Sequence, residues 1–191
     1  MLDFVGATSA FHYGSGVAAL DFEKLVEDYY MPLYRFALSL SRQEAEAADL
    51  TQQTFFLWAS KGHQLRDPSK VKTWLFTSLY REFLGRKRHR DRFVDSEETA
   101  EAIAAQTVPS SVVDQLDSEI VQRALFELEE IYRAPLSLFY LQSLSYKEIA
   151  EALSIPIGTV MSRISRAKEH LRKALIDQGC LTSKETGEER A

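Results

Sequence analysis

The chain has 191 residues, 45% of them hydrophobic and 27% charged, with a formal net charge of −5. That is an ordinary soluble composition for one medium domain or two small ones, and no apolar run approaches the ~18 residues of a membrane span. One cysteine, Cys180, and four scattered histidines leave no intramolecular disulfide and no zinc-like cluster. The opening "MLDFVGATSAFHYGSGVAAL" lacks a basic stretch ahead of an apolar core, so it does not read as a signal peptide. A reducing, cytoplasmic location is the expectation.

Helical periodicity dominates, with no convincing strand pair or hairpin turn. From Asp21 a first helix shows Phe22, Leu25, Val26 and Tyr29 on one side, then Leu33, Phe36, Ala37 and Leu40. Pro32 between them predicts a kink or a restart, because proline removes a backbone donor. A second helix is expected over 43–60, ended with the help of Gly62. Its inward stripe is Leu50, Thr54, Leu57 and Trp58, while Asp49, Gln52, Gln53 and Phe56 face away. A phenylalanine ringed by polar groups suits a protein interface.

The loop "HQLRDPSK" leads to a third helix, expected over 71–88. Val71, Leu75, Ser78 and Leu79 are assigned to its core side, and Trp74, Thr77, Arg81, Leu84 and Arg88 to the outer side. Aromatic planes with cations are what single-stranded nucleic acid uses, through base stacking and phosphate neutralisation. The competing expectation for Trp74 is packing beneath the preceding loop. The run Arg86, Lys87, Arg88, His89, Arg90 and Arg92 points to phosphate contact.

Residues 93–117 are rich in acids and small residues around "PSS" and read as a tether. Charge is segregated: residues 96–131 carry nine acids and one base, whereas residues 132–175 carry seven bases and three acids. The acidity therefore lies mostly outside the end segment, which is free to meet phosphate. Helices resume near Ser118, and Pro135 is expected at a break or a first turn.

The stretch "LSYKEIAEALSIPIGTVMSRISRAKEHLRKAL" carries the strongest motif. Ser145 and Glu148 form a capping box ahead of a helix whose apolar face is Ile149, Ala150 and Leu153. A short turn containing Ser154 leads to a second helix starting near Pro156. There Val160, Ile164, Ala167, Leu171 and Leu175 form one inward stripe. Ser162, Ser165, Arg166, Glu169 and Lys173 face out, with Met161 and Arg163 on the flanks. Short hydroxyls followed by cations suit a helix that enters the major groove.

"ADLTQQTFFLWA", "KTWLFTSLYREFLGRKRHR" and the last stretch, in this order, resemble bacterial RNA polymerase sigma factors of the extracytoplasmic-function group. The resemblance spans about residues 21–92 and 118–175. It implies an all-α fold: two small helical domains, sigma region 2 (21–92) and region 4 (118–175), joined by a flexible acidic linker (93–117). Residues 1–20 and 176–191 are extensions. No catalytic residue, cofactor or metal is implied, and the residues show no nucleophile elbow or phosphate loop.

Position by position, the resemblance implies that Asp49, Gln52, Gln53 and Phe56 contact the β′ clamp helices of core RNA polymerase. Arg66, Asp67, Ser69 and Lys70 lie in the loop that cradles a base flipped from the −10 element. Trp74, Thr77, Tyr80 and Arg81 meet the melted strand, and Arg86, Lys87, Arg88 and Arg90 the upstream phosphates. Thr159, Met161, Ser162, Arg163, Ser165, Arg166 and Lys168 read the −35 duplex. The β flap and an anti-sigma factor are the further partners it implies, with no membrane insertion. The rival reading is a helix-turn-helix regulator that binds palindromic DNA unaided as a dimer. It leaves the outer faces of the second and third helices unexplained.

Overall fold

The computed structural model describes residues 21–94 and 119–177. Seven α-helices account for most of them: α1 (Phe22–Ser41), α2 (Glu44–Lys61), α3 (Val71–Val94), α4 (Glu119–Glu127), α5 (Glu130–Gln142), α6 (Tyr146–Leu153) and α7 (Ile157–Asp177). Single 3-10 turns at Gly62–Gln64 and Pro68–Lys70 connect α2 to α3. Among the described residues there is no strand. The tether read over 93–117 and both extensions fall almost wholly outside them, although α3 runs on to Val94 and α7 to Asp177.

The side chain of Asp21 caps α1 by accepting from Glu23 N at 3.0 Å, satisfying one orphan donor of the first turn. The helix runs past Pro32 without restarting. Leu25 on one side of the proline and Leu33, Phe36 and Leu40 on the other are all buried. Burial on both sides keeps the helix continuous despite the missing hydrogen bond. Arg42, at φ 60°, ends the helix by returning its N–H to Leu38 O at 2.9 Å.

On α2 the inward stripe forms as expected at Leu50, Thr54 and Trp58, with Leu57 half-buried and Thr51 and Phe55 added. The Thr51 and Thr54 hydroxyls donate to Ala47 O (2.8 Å) and Leu50 O (2.7 Å), so both are buried without an unmet donor. Gly62 ends this helix for a packing reason, since its φ of −59° is open to any residue. A Cβ there would lie 2.7 Å from the Trp58 ring, which Trp74 holds edge-on with centroids 5.2 Å apart. Gly62→Ala is therefore expected to lose about 1–3 kcal/mol by overpacking, read as a lower urea midpoint at unchanged slope. A loss below a few tenths would show that Trp58 moves aside freely.

Pro135 also lies inside a helix, buried in α5, and not at a break. The break falls at Leu128–Glu129 instead, between α4 and α5. The helix-turn-helix forms as the sequence implies. Ser145 Oγ accepts from Glu148 N, and the Glu148 carboxylate accepts from Ser145 N at 2.8 Å. The Ser145 hydroxyl, which donates to the same carboxylate at 2.6 Å, and then the Ser145 N–H hold the Glu148 carboxyl below its ordinary value. Its contribution is thus complete above the usual carboxylate pKa and is lost as pH falls through the depressed folded value. Ser145→Ala is expected to cost about 1 kcal/mol, with the deficit shrinking in acid. A deficit that held constant to low pH would contradict a charged cap. Ser154 takes the left-handed turn at φ 54°, and Pro156 stands just before α7, accepting from Thr159 N and Val160 N.

The two helical units read from the sequence as joined by a tether pack directly against each other. One hydrophobic core runs through both halves, from Leu33, Phe36, Leu75 and Leu79 to Leu136, Leu138, Ile149 and Ile164. Helix α1 packs on α5, and α3 on α6. Buried Gln142 stitches the seam, its side chain donating from Nε2 to Pro32 O at 3.1 Å and its backbone carbonyl accepting from Lys72 Nζ. At the other end Arg133 is buried among backbone carbonyls, donating to Phe126 O at 3.1 Å, to Leu128 O and to Leu40 O at 3.4 Å.

Candidate nucleic-acid and polymerase interface

Three surfaces collect the residues singled out in the sequence. On α2, Asp49, Gln52 and Phe56 are exposed and Gln53 is half-buried. Phe56 is 64% exposed, a large apolar ring offered to solvent. Beside it an open groove of about 570 Å³ runs between the start of α2 and the end of α3, lined by Glu46, Asp49, Glu82, Arg86 and Arg90. Arg90 reaches Glu46 at 2.6 Å, and Arg86 reaches Glu82 at 3.2 Å. Two cations assigned to phosphate thus rest on carboxylates of their own half.

The loop before α3 is built by Asp67, which accepts from Ser69 N (3.0 Å) and Ser69 Oγ (2.7 Å). Those bonds pull the Asp67 carboxyl below its usual range. Asp67 and Ser69 therefore hold the loop, while exposed Arg66 stands free to point outward. Trp74 is half-buried against Trp58, an outcome between the two expectations for it. Thr77 is half-buried and returns its hydroxyl to Thr73 O at 2.7 Å. Arg81 and Arg88 are exposed.

Tyr80 does not stand on the outer face. It is 8% exposed, and its hydroxyl lies 3.3 Å from a Glu130 oxygen. Burial, together with Glu130, pushes the phenol up to about 12. Lys87 reaches the other Glu130 oxygen at 2.6 Å, and Lys70 meets Glu151 at 2.9 Å. These bonds hold the Lys70 ammonium above its ordinary value. Glu130 and Glu151 gave no signal in the sequence, because their partners lie 43 to 81 positions away.

On α7 the outer face forms as the wheel implies. Met161, Ser162, Ser165, Arg166 and Lys168 are exposed, with Thr159 and Arg163 half-buried. Val160, Ile164 and Ala167 are buried beneath them. Ser162 returns its hydroxyl to Thr159 O at 3.1 Å. Lys168 is drawn sideways over the Phe139 and Tyr140 rings, 5.4 Å from each centroid, a cation–π arrangement invisible to a wheel of α7 alone. Tyr140 itself is 57% exposed. Among the described residues no helix is long and apolar enough to cross a membrane, and no group of acids, histidines or cysteines could hold a metal.

The chain matches two family models: Sigma-70 region 2 over residues 25–93 and Sigma-70, region 4 over residues 118–171. It is 30% identical over 158 residues to the ECF RNA polymerase sigma factor SigM of Bacillus subtilis, covering 82% of this chain and 96% of that protein. It is likewise 30% identical over 168 residues to SigW of the same organism, covering 82% and 89%. Among solved structures it resembles the sigma factor RpoE of Bartonella quintana, crystallised with the anti-sigma factor NepR. That match has a TM-score of 0.73 and 31% identity, and covers 82% of this chain and 97% of the other.

Proposed function

This chain belongs to the extracytoplasmic-function group of RNA polymerase sigma factors, and from that membership we propose how its residues divide the work of starting transcription. The observation that carries the assignment is that three separate surfaces on one small helical body offer three chemistries. The α2 face around Phe56 is the docking surface for core polymerase at its β′ clamp helices: a large exposed ring within a polar rim. The α7 face reads the −35 duplex in the major groove, with Ser162, Ser165 and Arg166 toward base edges and Arg163 and Lys168 toward phosphate. The α3 face, with Arg66, Trp74, Arg81 and Arg88, takes the −10 strand once it opens. Capturing unpaired bases offsets a few kcal/mol of unstacking for each base, so melting needs no chemistry of the protein's own.

The chain works in the cytoplasm in this reading, where polymerase and promoter are. The B. quintana relative was crystallised with an anti-sigma factor, and an anti-sigma partner is proposed here too. The exposed apolar side chains of the second half, Ile131, Tyr140 and Ile157, are offered to the β flap. The net acidity does not oppose DNA binding, because residues 132–175 are basic on their own and polymerase supplies further grip.

Mixing the chain with sigma-free core polymerase is expected to give a stable one-to-one complex on gel filtration. Failure to co-elute, with a palindrome-binding dimer in its place, would favour the stand-alone regulator. Arg166→Ala is expected to weaken −35-dependent initiation by ~1–3 kcal/mol, measured as promoter affinity of the holoenzyme. An equal loss on promoters with a scrambled −35 element would contradict base reading by that residue.

A further inference from the structure

We infer that Glu46 and Glu82 are built-in counter-ions that limit how hard the basic end of α3 grips promoter phosphates. The inference rests on the assignment of that run to the upstream phosphates and adds a restraint to it. From Arg86 to Arg92 the chain places Arg86, Lys87, Arg88, Arg90 and Arg92 around His89, a charge that by itself would hold several phosphates.

The fold does not leave these cations equal. Arg90 places Nη1 2.6 Å from Glu46, whose side chain is only 10% exposed. Glu46 lies in the first turn of α2, where the helix dipole favours a negative charge. Arg86 meets Glu82, one turn earlier on α3, at 3.2 Å, with both side chains about a third exposed. Arg88, between the two arginines, is exposed and in no ion pair among the described residues. Both carboxylates belong to α2 and α3, so neither pair depends on the second half.

The open groove of about 570 Å³ runs past both pairs, so a phosphate reaches Arg86 and Arg90 without displacing a helix. Glu46 takes the Nη1 donor of Arg90 and leaves the rest of the guanidinium fork open. What the carboxylate removes is net charge. A cation that is already paired displaces fewer of the counter-ions condensed on DNA, and their release supplies most of the sequence-independent affinity. Phosphate contacts carry no base information. Glu46 and Glu82 therefore set the tightness and salt dependence of the grip, and leave sequence choice to the other surfaces.

The test uses holoenzyme assembled from sigma-free core polymerase and the full chain, with affinity for a fluorescein-labelled promoter duplex followed by anisotropy across a salt series. Glu46→Gln is expected to tighten binding by about threefold to tenfold and to steepen the slope of log affinity against log salt by ~1, as one more phosphate contact would. The same gain is expected on a duplex with a scrambled −35 element. It is expected to vanish in Glu46→Gln/Arg90→Ala, because the unpaired cation is what grips. Glu27→Gln, the same charge change at an exposed position of α1, is expected to alter affinity by less than about twofold.

An equal gain from Glu27→Gln, or a gain that survives loss of Arg90, would reduce the effect to net charge and overturn the inference. Weaker binding by Glu46→Gln would overturn it too, making the carboxylate a support that aims Arg90. Should Glu46→Gln melt early, Glu82→Gln, at a pair within one helix, is expected to give a smaller gain of the same sign, and no gain there overturns the inference. Arg88→Ala separates this inference from the assignment beneath it, which predicts a loss of about threefold and a slope shallower by ~1. Unchanged binding by Arg88→Ala would strike the phosphate assignment and the counter-ions with it. The expected loss there, with no gain from Glu46→Gln, would overturn the counter-ions alone.

Discussion

Replacing Arg133 with methionine is expected to lower folding stability by about 3 kcal/mol. Its guanidinium is buried and donates to carbonyls of Phe126, Leu128 and Leu40. Those oxygens lie at the C-terminal ends of α4 and α1, where the helix dipole presents negative charge and the last carbonyls have no helical partner. Burial, aided by the nearby Arg42 charge, pulls the guanidinium down to about 10, so it stays charged at neutral pH. Methionine fills the volume but removes the donor to Phe126 O and Leu40 O and leaves Leu128 O only the longer bond from Arg42 at 3.3 Å. Lysine keeps the charge but cannot fork to separate acceptors, so Arg133→Lys is expected to fall between the two. Urea unfolding checks this as a midpoint shift at constant slope. A loss under 1 kcal/mol for methionine would mean that the carbonyls find other donors.

Phe56→Ala is expected to behave in the opposite way, leaving the fold intact and stripping function. The ring is 64% exposed, so its removal takes little from the core. As a central aromatic anchor it would contribute ~2–4 kcal/mol to docking, which is a loss of roughly 30-fold to 1,000-fold in affinity for core polymerase. Competition with a labelled sigma factor for core polymerase measures this directly, and Gln52→Ala is expected to give a smaller loss of the same kind. Binding of the isolated chain to −35 duplex should be unchanged. A variant that docks normally would remove Phe56 from the polymerase face.

These two residues mark the limits of reading the chain from its sequence. Phe56 was legible because its exposure follows from helical spacing within α2 alone. The capping box at Ser145 and Glu148 and the buried stripe of α7 were legible for the same reason, since each is decided within a few turns. Arg133 was not, because its partners come from α1 and the α4–α5 junction, and nothing local marks an arginine for burial. Pro135 misled, and Pro32 does not restart its helix, because the sequence rule weighs the lost hydrogen bond while the structure weighs the buried side chains packed around each proline. Tyr80 was turned toward the melted strand by resemblance alone, and neither resemblance nor helical spacing shows that α5 covers it through Glu130. The seam between halves is made of pairs far apart in sequence, such as Lys70 with Glu151 and Gln142 with Pro32. Local periodicity carries no trace of such pairs.

The roles assigned to α2, α3 and α7 meet in one assay: promoter-dependent transcription by sigma-free core polymerase, with and without this chain, on genomic DNA fragments. The expected result is transcripts with fixed start sites that appear only when the chain is present and that weaken when α7 carries Arg166→Ala or α2 carries Phe56→Ala. Contradiction would be a chain that binds DNA on its own yet leaves the start sites of core polymerase unchanged.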